Sequence, residues 1–492
     1  MMLTITLGEH DTLRRRSEQA SETSTQGGSK AWMMPIMPKK RVLMVEPQGE
    51  GGISHYAYCL GHALCDLDYD VTLATGHPYE LAFARPPYAV APVFGYRGIP
   101  RIAQRLLGRI GAQPDTRLAT PLPDLQQDAS LLRLGRLAVA HPHPMRRTAG
   151  WGSRWLAREE YRSGWRRTIG LAARHGSAIA HVQWISRPER DHCLLRMLRG
   201  RGVRVVLTVH NVLPHDAPAS AQAIWPYIYR AADRLIVHYP GALSDLSDLG
   251  VDPARVSVIP HGNYLPIAAL ASGAKDTWAR RQPQTQAQAQ AQARVRLGLP
   301  LDAPIALFFG MMRPYKGIDY LLEAFVRVRA ALPAARLLVV GRAPHGIARF
   351  EQRALELGIA DAVTTVPQYL PLLDVGQWFA ASDLVAHPYV EASQSGVVQL
   401  AYAFKRPVIA THTGGLPGAV VDGVTGLLTP PRDGAALATA MTRLLRDRER
   451  CAAWGERAYA IARDQFSWDR IAALTAQVYA QALAEPLTEG AG

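Results

Sequence analysis

Two basic residues have the type and spacing to do chemistry in this chain of 492 residues. Arg313 and Lys316 stand three apart in GMMRPYKG, a loop between an apolar run and a helical pattern. Two cations at the start of a helix oppose its dipole, so a bound anion would compensate them, and the spacing fits a diphosphate. The alternative is a solvent-facing charged loop, which the flanking Gly310 and Gly317 disfavour because they let the backbone approach a ligand closely.

A carboxylate and an amide form the second candidate pair, Glu391 and Gln399 in EASQSGVVQ. The helix between them begins near Gly396, and the first N–H groups, at Ser395, Gly396 and Val397, can hold a phosphate. A buried amide without a partner costs roughly 1–3 kcal/mol, so we expect Gln399 to bond a ligand hydroxyl or a backbone group. A structural role for either side chain, such as capping the helix, is the alternative.

Two weaker signals lie at the ends of strand-like runs nearer the N-terminus. Gly51 and Gly52 follow KRVLMVE and precede a helix, so their N–H groups can approach an anion, although a sterically tight turn explains two glycines about as well. His210 ends VRVVLTVH, where its side chain can face a ligand outside the sheet. A lone histidine is, however, more often structural.

Short β-rich runs alternate with helical patterns along the chain and must position these residues. Six precede the glutamine-alanine repeat (KKRVLMVEP, DVTLAT, AIAHVQWI, VRVVLTVH, RLIVHY, VSVIPHG), and six follow it (APIALFFG, ARLLVVG, AVTTVP, DLVAHPY, RPVIAT, GLLTP). Such alternation predicts an α/β fold with two doubly wound, Rossmann-like domains in tandem. Ligands bind outside the carboxyl ends of such strands, so two facing domains would form an interdomain cleft.

The same pattern divides the chain into five predicted parts. They are a disordered tail over residues 1–38, a first Rossmann-like domain over 39–265, a low-complexity linker or surface insertion over 266–294, a second Rossmann-like domain over 295–466, and a C-terminal helix over 467–492. The linker contains QAQAQAQA, which cannot bury one face as a strand.

Composition limits the classes of protein to which this chain can belong. No apolar run reaches the roughly 18 residues that span a bilayer, and no secretory leader pattern is visible, so we expect a cytoplasmic protein. The four cysteines form no Cys-x-x-Cys and no metal-like cluster, which predicts neither a disulfide framework nor a metal site.

The net charge of +14 is concentrated in one segment, from Arg97 to Arg167, which contains fourteen arginines and five acidic residues. Trp151, Trp155 and Trp165 lie among the arginines, as in segments that rest on an anionic lipid surface. We therefore expect reversible attachment to the inner face of the cytoplasmic membrane. A solvated basic face is the alternative, and no nucleic-acid-binding motif is visible.

Taken together, the motifs resemble those of the retaining glycosyltransferases of family 4, which have the GT-B fold of two facing Rossmann-like domains. The resemblance covers about residues 39–486. It rests on motifs that occur in the family's order: the Gly51-Gly52 loop, TVHNVLPH, VIPHGN, GMMRPYKG, EASQSGVVQLAYAFKRPVIAT, GGLPGAVVDGVTGLL and a late FSW. It implies a nucleotide-sugar donor held mainly by the second domain, an acceptor held mainly by the first, and a last helix that crosses back to the first domain.

The resemblance also implies a role for each candidate residue. Arg313 and Lys316 would neutralise the donor diphosphate, His210 would lie near the transferred sugar, and Glu391 would contact its hydroxyls. Gln399 stands where the family often has a second Glu that accepts hydrogen bonds from the ribose. An amide oxygen accepts such a bond more weakly than a carboxylate does, so this departure weakens donor affinity rather than changing the reaction. The remaining donor contacts would come from the Gly51-Gly52 loop, from the amides of Ser395, Gly396 and Val397, and from the backbone near Gln368 and Tyr369, which would line the base pocket.

The expected function is therefore retaining transfer of a hexose from a UDP-, GDP- or ADP-sugar to a saccharide or polyprenyl-linked acceptor, in exopolysaccharide or cell-envelope glycan synthesis. We expect no metal ion or other cofactor, because the two cations and the helix terminus can stabilise the diphosphate. Two other functions stay open: a nucleotide-sugar epimerase of the same fold, and a non-enzymatic polyanion-binding protein that uses the basic segment.

Overall fold

The computed structural model describes residues 40–95, 151–214, 222–272 and 285–485. Its first sheet has seven strands: β1 (Lys40–Glu46), β2 (Tyr69–Gly76), β3 (Ala89–Phe94), β4 (Ile179–Val182), β5 (Arg204–Val209), β6 (Arg234–Val237) and β7 (Val256–Val258). Their order across the sheet is β3-β2-β1-β4-β5-β6-β7, and every neighbouring pair is parallel.

A second parallel sheet follows, with β8 (Ile305–Phe309), β9 (Arg336–Val340), β10 (Val363–Val366), β11 (Leu384–His387), β12 (Val408–Thr411) and β13 (Gly426–Thr429) in the order β10-β9-β8-β11-β12-β13. The helices between and after the strands are α1 (Gly52–Asp66), α2 (Trp151–His175), α3 (Pro188–Arg199), α4 (Trp225–Ala231), α5 (Gly241–Asp248), α6 (Leu265–Ala271), α7 (Gln286–Arg296), α8 (Ile318–Ala331), α9 (Ala348–Glu356), α10 (Leu372–Ala381), α11 (Gly396–Ala403), α12 (Leu416–Ala419), α13 (Gly434–Leu445), α14 (Arg448–Gln465) and α15 (Trp468–Ala484). Both sheets have doubly wound strand orders, which confirms the predicted fold class.

The predicted strands are all present, and β3 is the one described strand that the sequence pattern missed. Its residues are mostly exposed or half-buried, and it contains Pro92 at the edge of the sheet. Edge strands tolerate proline and need no continuous apolar run, so β3 lacks the pattern that reveals the central strands.

The glutamine-alanine repeat is a helix, α7, and not the low-complexity linker that the sequence suggested. Thr285 caps it: its hydroxyl accepts from the N–H of Gln288, whose side-chain oxygen in turn accepts from the N–H of Thr285. Gln290 donates to the backbone oxygen of Ser382 at 2.9 Å, which fixes the helix to the second domain. Alanine and glutamine are good helix formers, so this repeat forms a helix although its polar, repetitive composition suggested a linker.

The basic segment fits the membrane hypothesis less well than its composition suggested. Trp165, one of the three tryptophans assigned to a lipid surface, is fully buried in the first domain, and its indole N–H donates to Asp191 at 3.0 Å. The prediction that Trp165 rests on a lipid surface is therefore wrong. Residues 97–150, which carry most of the predicted basic surface, and the predicted tail over residues 1–38 lie outside the described residues.

The last helix, α15, packs against α1 and β5 of the first domain. The hydroxyl of Tyr479 lies 2.7 Å from Nδ1 of His181 on β4, and the indole N–H of Trp468 donates to the backbone oxygen of Asn263 at 2.7 Å. None of the described helices combines the length and apolar character needed to cross a membrane. All four cysteines fall within the described residues, and each is a free thiol.

A buried ion pair joins α7 to the second domain and generates a stability prediction. Arg294 is almost fully buried, donates to Asp383 at 2.9 Å and also donates to the backbone oxygen of Ala381. Replacing Arg294 with Ala leaves the buried carboxylate of Asp383 without its cation, so we expect a loss of about 3–5 kcal/mol in the free energy of unfolding. The exposed Arg296 on the same helix is the matched control, and Arg296→Ala should change stability by less than about 0.5 kcal/mol. Equal urea midpoints for the two variants would contradict this account.

Candidate active site

A cleft of about 580 Å³ lies where the carboxyl ends of the two sheets face each other. Loops that follow β1, β2, β4, β5 and β7 form one wall, and loops that follow β8, β9, β10 and β11 form the other. This is the position at which doubly wound sheets bind ligands, and the volume suits a small organic molecule.

The first loop of this cleft is shaped by Glu46 at the end of β1. The Glu46 carboxylate accepts from the N–H groups of Gln48 and Gly49, each at 2.8 Å, and from the hydroxyl of Thr75 at 3.2 Å. Gly51 then turns the chain into α1 with a φ of 79°, a conformation that favours glycine. Glu46 was not among the predicted site residues, because these bonds depend on a turn that the sequence pattern does not reveal.

Glu80 connects the two walls of the cleft. One carboxylate oxygen accepts from the N–H of Gly51 at 3.0 Å and from the hydroxyl of Tyr369 at 2.7 Å, and lies 3.2 Å from Nε2 of His55. The other accepts from the N–H of Leu372 in the second domain at 3.2 Å. Gly51 and Gly52 do line the cleft, but the Gly51 N–H is already used by a carboxylate. The prediction that this N–H is available to an anion is therefore wrong for this structure.

The Glu80 carboxylate is held in its charged form. Burial alone would raise the pKa of Glu80, but the hydrogen bond and charge of His55, together with bonds from Gly51 and Tyr369, lower it to about 2. Because this value lies below the ordinary 4.5, the bridge stabilises the structure above about pH 5 and is lost as the pH falls toward 2.

Arg313 and Lys316 lie on the second wall, as the sequence predicted for a loop that enters a helix. Nζ of Lys316 is 3.6 Å from the centre of the Tyr389 ring, and Nε of Arg313 is 2.9 Å from the sulfur of Met311. Burial, with a smaller contribution from the charge of Arg313, lowers the pKa of Lys316 to about 7. The loop packs tightly: a Cβ at Gly317 would lie 1.9 Å from the backbone oxygen of Pro388. These two cations would be stabilised by an anion in the cleft.

The N-terminus of α11 also reaches the cleft. Gly396 and Val397 line it, and their N–H groups belong to the first helical turn, where intrahelical acceptors are missing. Ser395 is buried, is not among the lining residues, and its N–H donates to the side chain of Gln394 at 3.0 Å. Two of the three residues with predicted phosphate-binding amides thus line the cleft, and their contact with a phosphate stays a prediction.

Glu391 and Gln399, the pair that first suggested this loop, are placed differently from expectation. Glu391 is exposed, and neither residue is among those that line the cleft. Gln399 is fully buried, and neither its amide oxygen nor its nitrogen has a hydrogen-bond partner among the described residues. Gln399 therefore lacks the expected backbone partner within the residues that the structure describes. A ribose contact of Gln399, which lies within α11, stays a prediction.

Gln368 and Tyr369 follow β10 and line the cleft, as predicted. The Tyr369 ring also lies 5.5 Å from the guanidinium of Arg342, which forms an ion pair with Glu50 across the cleft at 3.7 Å. Their proposed contact with a nucleotide base stays a prediction.

His210 lines the cleft and belongs to a cluster of three buried histidines. His238 lies directly after β6, its Nε2 is 3.1 Å from Nδ1 of His210, and His261 lies just beyond β7. The ring of Tyr56 packs against all three. The sequence held a signal for this cluster, because the neighbouring runs VRVVLTVH, RLIVHY and VSVIPHG each end at or near a histidine. His238 and His261 were nevertheless missed.

Solved structures share this architecture. Anabaena HepE in complex with UDP and glucose matches with a TM-score of 0.62 at 18% sequence identity, covering 90% of this chain and 100% of that chain. A glycosyltransferase from Rickettsia africae matches with a TM-score of 0.58 at 14% identity, covering 92% and 100%. Likeness at these identities concerns the fold, which is that of the GT-B proteins.

The sequence matches two family models, one in each domain. Residues 163–263 match Glycosyltransferase Family 4, and residues 303–447 match Glycosyl transferases group 1. The chain belongs to this family of glycosyltransferases. D-inositol 3-phosphate glycosyltransferase of Mycolicibacterium paratuberculosis is 36% identical over 270 residues, which cover 53% of this chain and 55% of the relative. The chain thus spans a little over half the length of the curated relatives it matches.

The Glu80 bridge predicts a local change on mutation. Glu80→Ala removes the acceptor for the Gly51 and Leu372 N–H groups, so both amides should exchange with deuterium about tenfold faster at pH 7. Glu356, an exposed acid on α9, is the matched control, and Glu356→Ala should leave both rates unchanged. Unchanged exchange at Gly51 and Leu372 in Glu80→Ala, measured by mass spectrometry, would show that Glu80 does not hold the two walls together.

Proposed function

We propose that this protein transfers a sugar from a nucleotide diphosphate donor to a saccharide or lipid-linked acceptor, with retention of the anomeric configuration. The observation that carries the proposal is the position of two cations, Arg313 and the half-buried Lys316, in the cleft. Burial there lowers the pKa of the Lys316 amine to about 7. A diphosphate would restore the full charge of this amine. The family match and the GT-B fold support the same class of donor.

The proposed chemistry uses charge stabilisation and no protein nucleophile. As the bond between the sugar and the diphosphate breaks, negative charge grows on the leaving group, where Arg313, Lys316 and the N–H groups of Gly396 and Val397 stabilise it. A phosphate oxygen takes the proton of the acceptor hydroxyl on the same face of the sugar, so the new bond forms with retention. Because the two cations supply the positive charge, this mechanism needs no metal ion. Glu391 keeps its proposed contact with sugar hydroxyls, which requires its loop to close over the donor.

The acceptor is proposed to bind at the first wall of the cleft. Trp184 and Asn211 lie there and offer an apolar ring and an amide, groups that suit a sugar. The curated relatives are named for D-inositol 3-phosphate, so an inositol phosphate should be assayed beside neutral saccharides and polyprenyl-linked sugars.

A role in exopolysaccharide or cell-envelope synthesis is also part of the proposal. The basic composition of the segment from Arg97 to Arg167 supports this role.

Substitution of the two cations tests the proposed donor site. After a thermal-shift screen of UDP-, GDP- and ADP-sugars selects the donor, Arg313→Ala and Lys316→Ala should each lower turnover by about 10²- to 10³-fold, because each removes charge that stabilises the leaving group. Lys405, a surface lysine paired with Glu456, is the control, and Lys405→Ala should keep normal turnover. Near-normal turnover in either cleft variant would rule out the diphosphate assignment.

Membrane attachment is tested separately. Liposome co-sedimentation should increase with the fraction of anionic lipid and decrease with salt, since arginine charge would drive it. Equal binding to neutral vesicles, or none to either kind, would refute the peripheral location.

A further inference from the structure

The cluster of His210, His238 and His261 contains a directional chain of hydrogen bonds. Nδ1 of His238 lies 2.9 Å from the backbone oxygen of Ile259. A carbonyl oxygen can only accept, so this nitrogen must carry the proton. The direction of the first bond in the chain is therefore fixed by the backbone, whatever ligand is bound.

The second bond follows from the first when the histidines are neutral. Burial lowers the pKa of His238 to about 3, and burial together with the neighbouring histidines lowers the pKa of His210 well below its ordinary value. A neutral His238 with its proton on Nδ1 has a bare Nε2, which lies 3.1 Å from Nδ1 of His210. That Nδ1 must then donate, so the proton of His210 is on Nδ1 as well.

The result is an unprotonated nitrogen on a residue that lines the cleft. Nε2 of His210 is buried and has no hydrogen-bond partner among the described residues, while His210 as a whole is 8% exposed and lines the cleft. A bare imidazole nitrogen accepts a hydrogen bond and cannot donate one to a phosphate oxygen. The ligand group that satisfies it must therefore be a donor, such as a hydroxyl.

We propose that His238 is a positioning residue that fixes His210 in the Nδ1–H tautomer, so that Nε2 of His210 accepts a hydrogen bond from one hydroxyl of the donor sugar. The identity of the ligand rests on the proposed function, whereas the tautomer rests on the hydrogen-bond geometry and the burial of the histidines. His238 acts through His210 and does not itself line the cleft.

The chain offers two informative substitutions at His238. His238→Gln keeps an acceptor for His210 in its amide oxygen and a donor for Ile259 in its amide nitrogen. His238→Phe keeps a ring that can pack against Tyr56 but removes the acceptor. His210 then loses the partner that holds its proton on Nδ1, and the tautomer with the proton on Nε2 becomes accessible.

Nuclear magnetic resonance of protein labelled with nitrogen-15 at histidine tests the tautomer without any ligand. The His210 signals, assigned by their loss in His210→Gln, should show a protonated Nδ1 and a bare Nε2 in the wild type and in His238→Gln. In His238→Phe the proton should move partly or wholly to Nε2. A wild-type His210 protonated on Nε2 would overturn the proposal, and this result does not depend on whether His238→Phe folds.

Binding of modified donors tests the sugar contact. Fluorine in place of a hydroxyl keeps a similar size but cannot donate, so calorimetry with the donor from the thermal-shift screen and its singly fluorinated analogues should show about five- to tenfold weaker binding at one sugar position. His210→Ala and His238→Phe should reduce this preference, and His238→Gln should retain it. A preference that persists in His210→Ala would overturn the sugar contact. If no nucleotide sugar binds at all, the proposed function fails, and the resonance experiment alone decides the tautomer.

Discussion

Parallel strands end at one edge of their sheet, and this constraint decides where the polar groups of the protein collect. In the first sheet it brings the loop after β1, Glu80, His210 and the histidines after β6 and β7 to one edge. In the second it brings Arg313, Lys316 and the start of α11 to another. The two edges face each other, so groups distant in sequence share one cleft.

The charges in this cleft are divided between its walls. Glu50 and Glu80 lie on the first wall, and Arg313, Lys316 and Arg342 lie on the second. The pair of Glu50 with Arg342 and the bridge from Glu80 to Tyr369 and Leu372 join the walls without using Arg313 or Lys316. Positive side chains thus lie on the second wall, where the anionic donor is proposed to bind, and the first wall carries groups that accept hydrogen bonds from hydroxyls. Closure of the two domains would also exclude water and strengthen both interactions.

Much of the fold and part of the site could be predicted from sequence, for reasons that differ between residues. Central parallel strands are buried on both faces and form continuous apolar runs, whereas β3 is an exposed edge strand and has no such run. Arg313 and Lys316 were identified because the predicted diphosphate contact depends only on their spacing within one loop. Glu80 was not, since its partners at Gly51 and Leu372 are 29 and 292 residues away. The burial of Gln399, away from the cleft surface, likewise depends on tertiary packing that a local pattern does not contain.

The central claim is that the cleft binds a diphosphate at Lys316, and proton uptake on binding tests it most directly. With a pKa of about 7, Lys316 is mostly neutral at pH 8, so binding of the selected nucleoside diphosphate should take up about one proton per site as the amine regains its charge. Calorimetry at pH 8 in buffers of different ionisation enthalpy measures this number. The account predicts uptake near one proton in the wild type and almost none in Lys316→Met. Binding without proton uptake in the wild type, or equal uptake in both proteins, would contradict it.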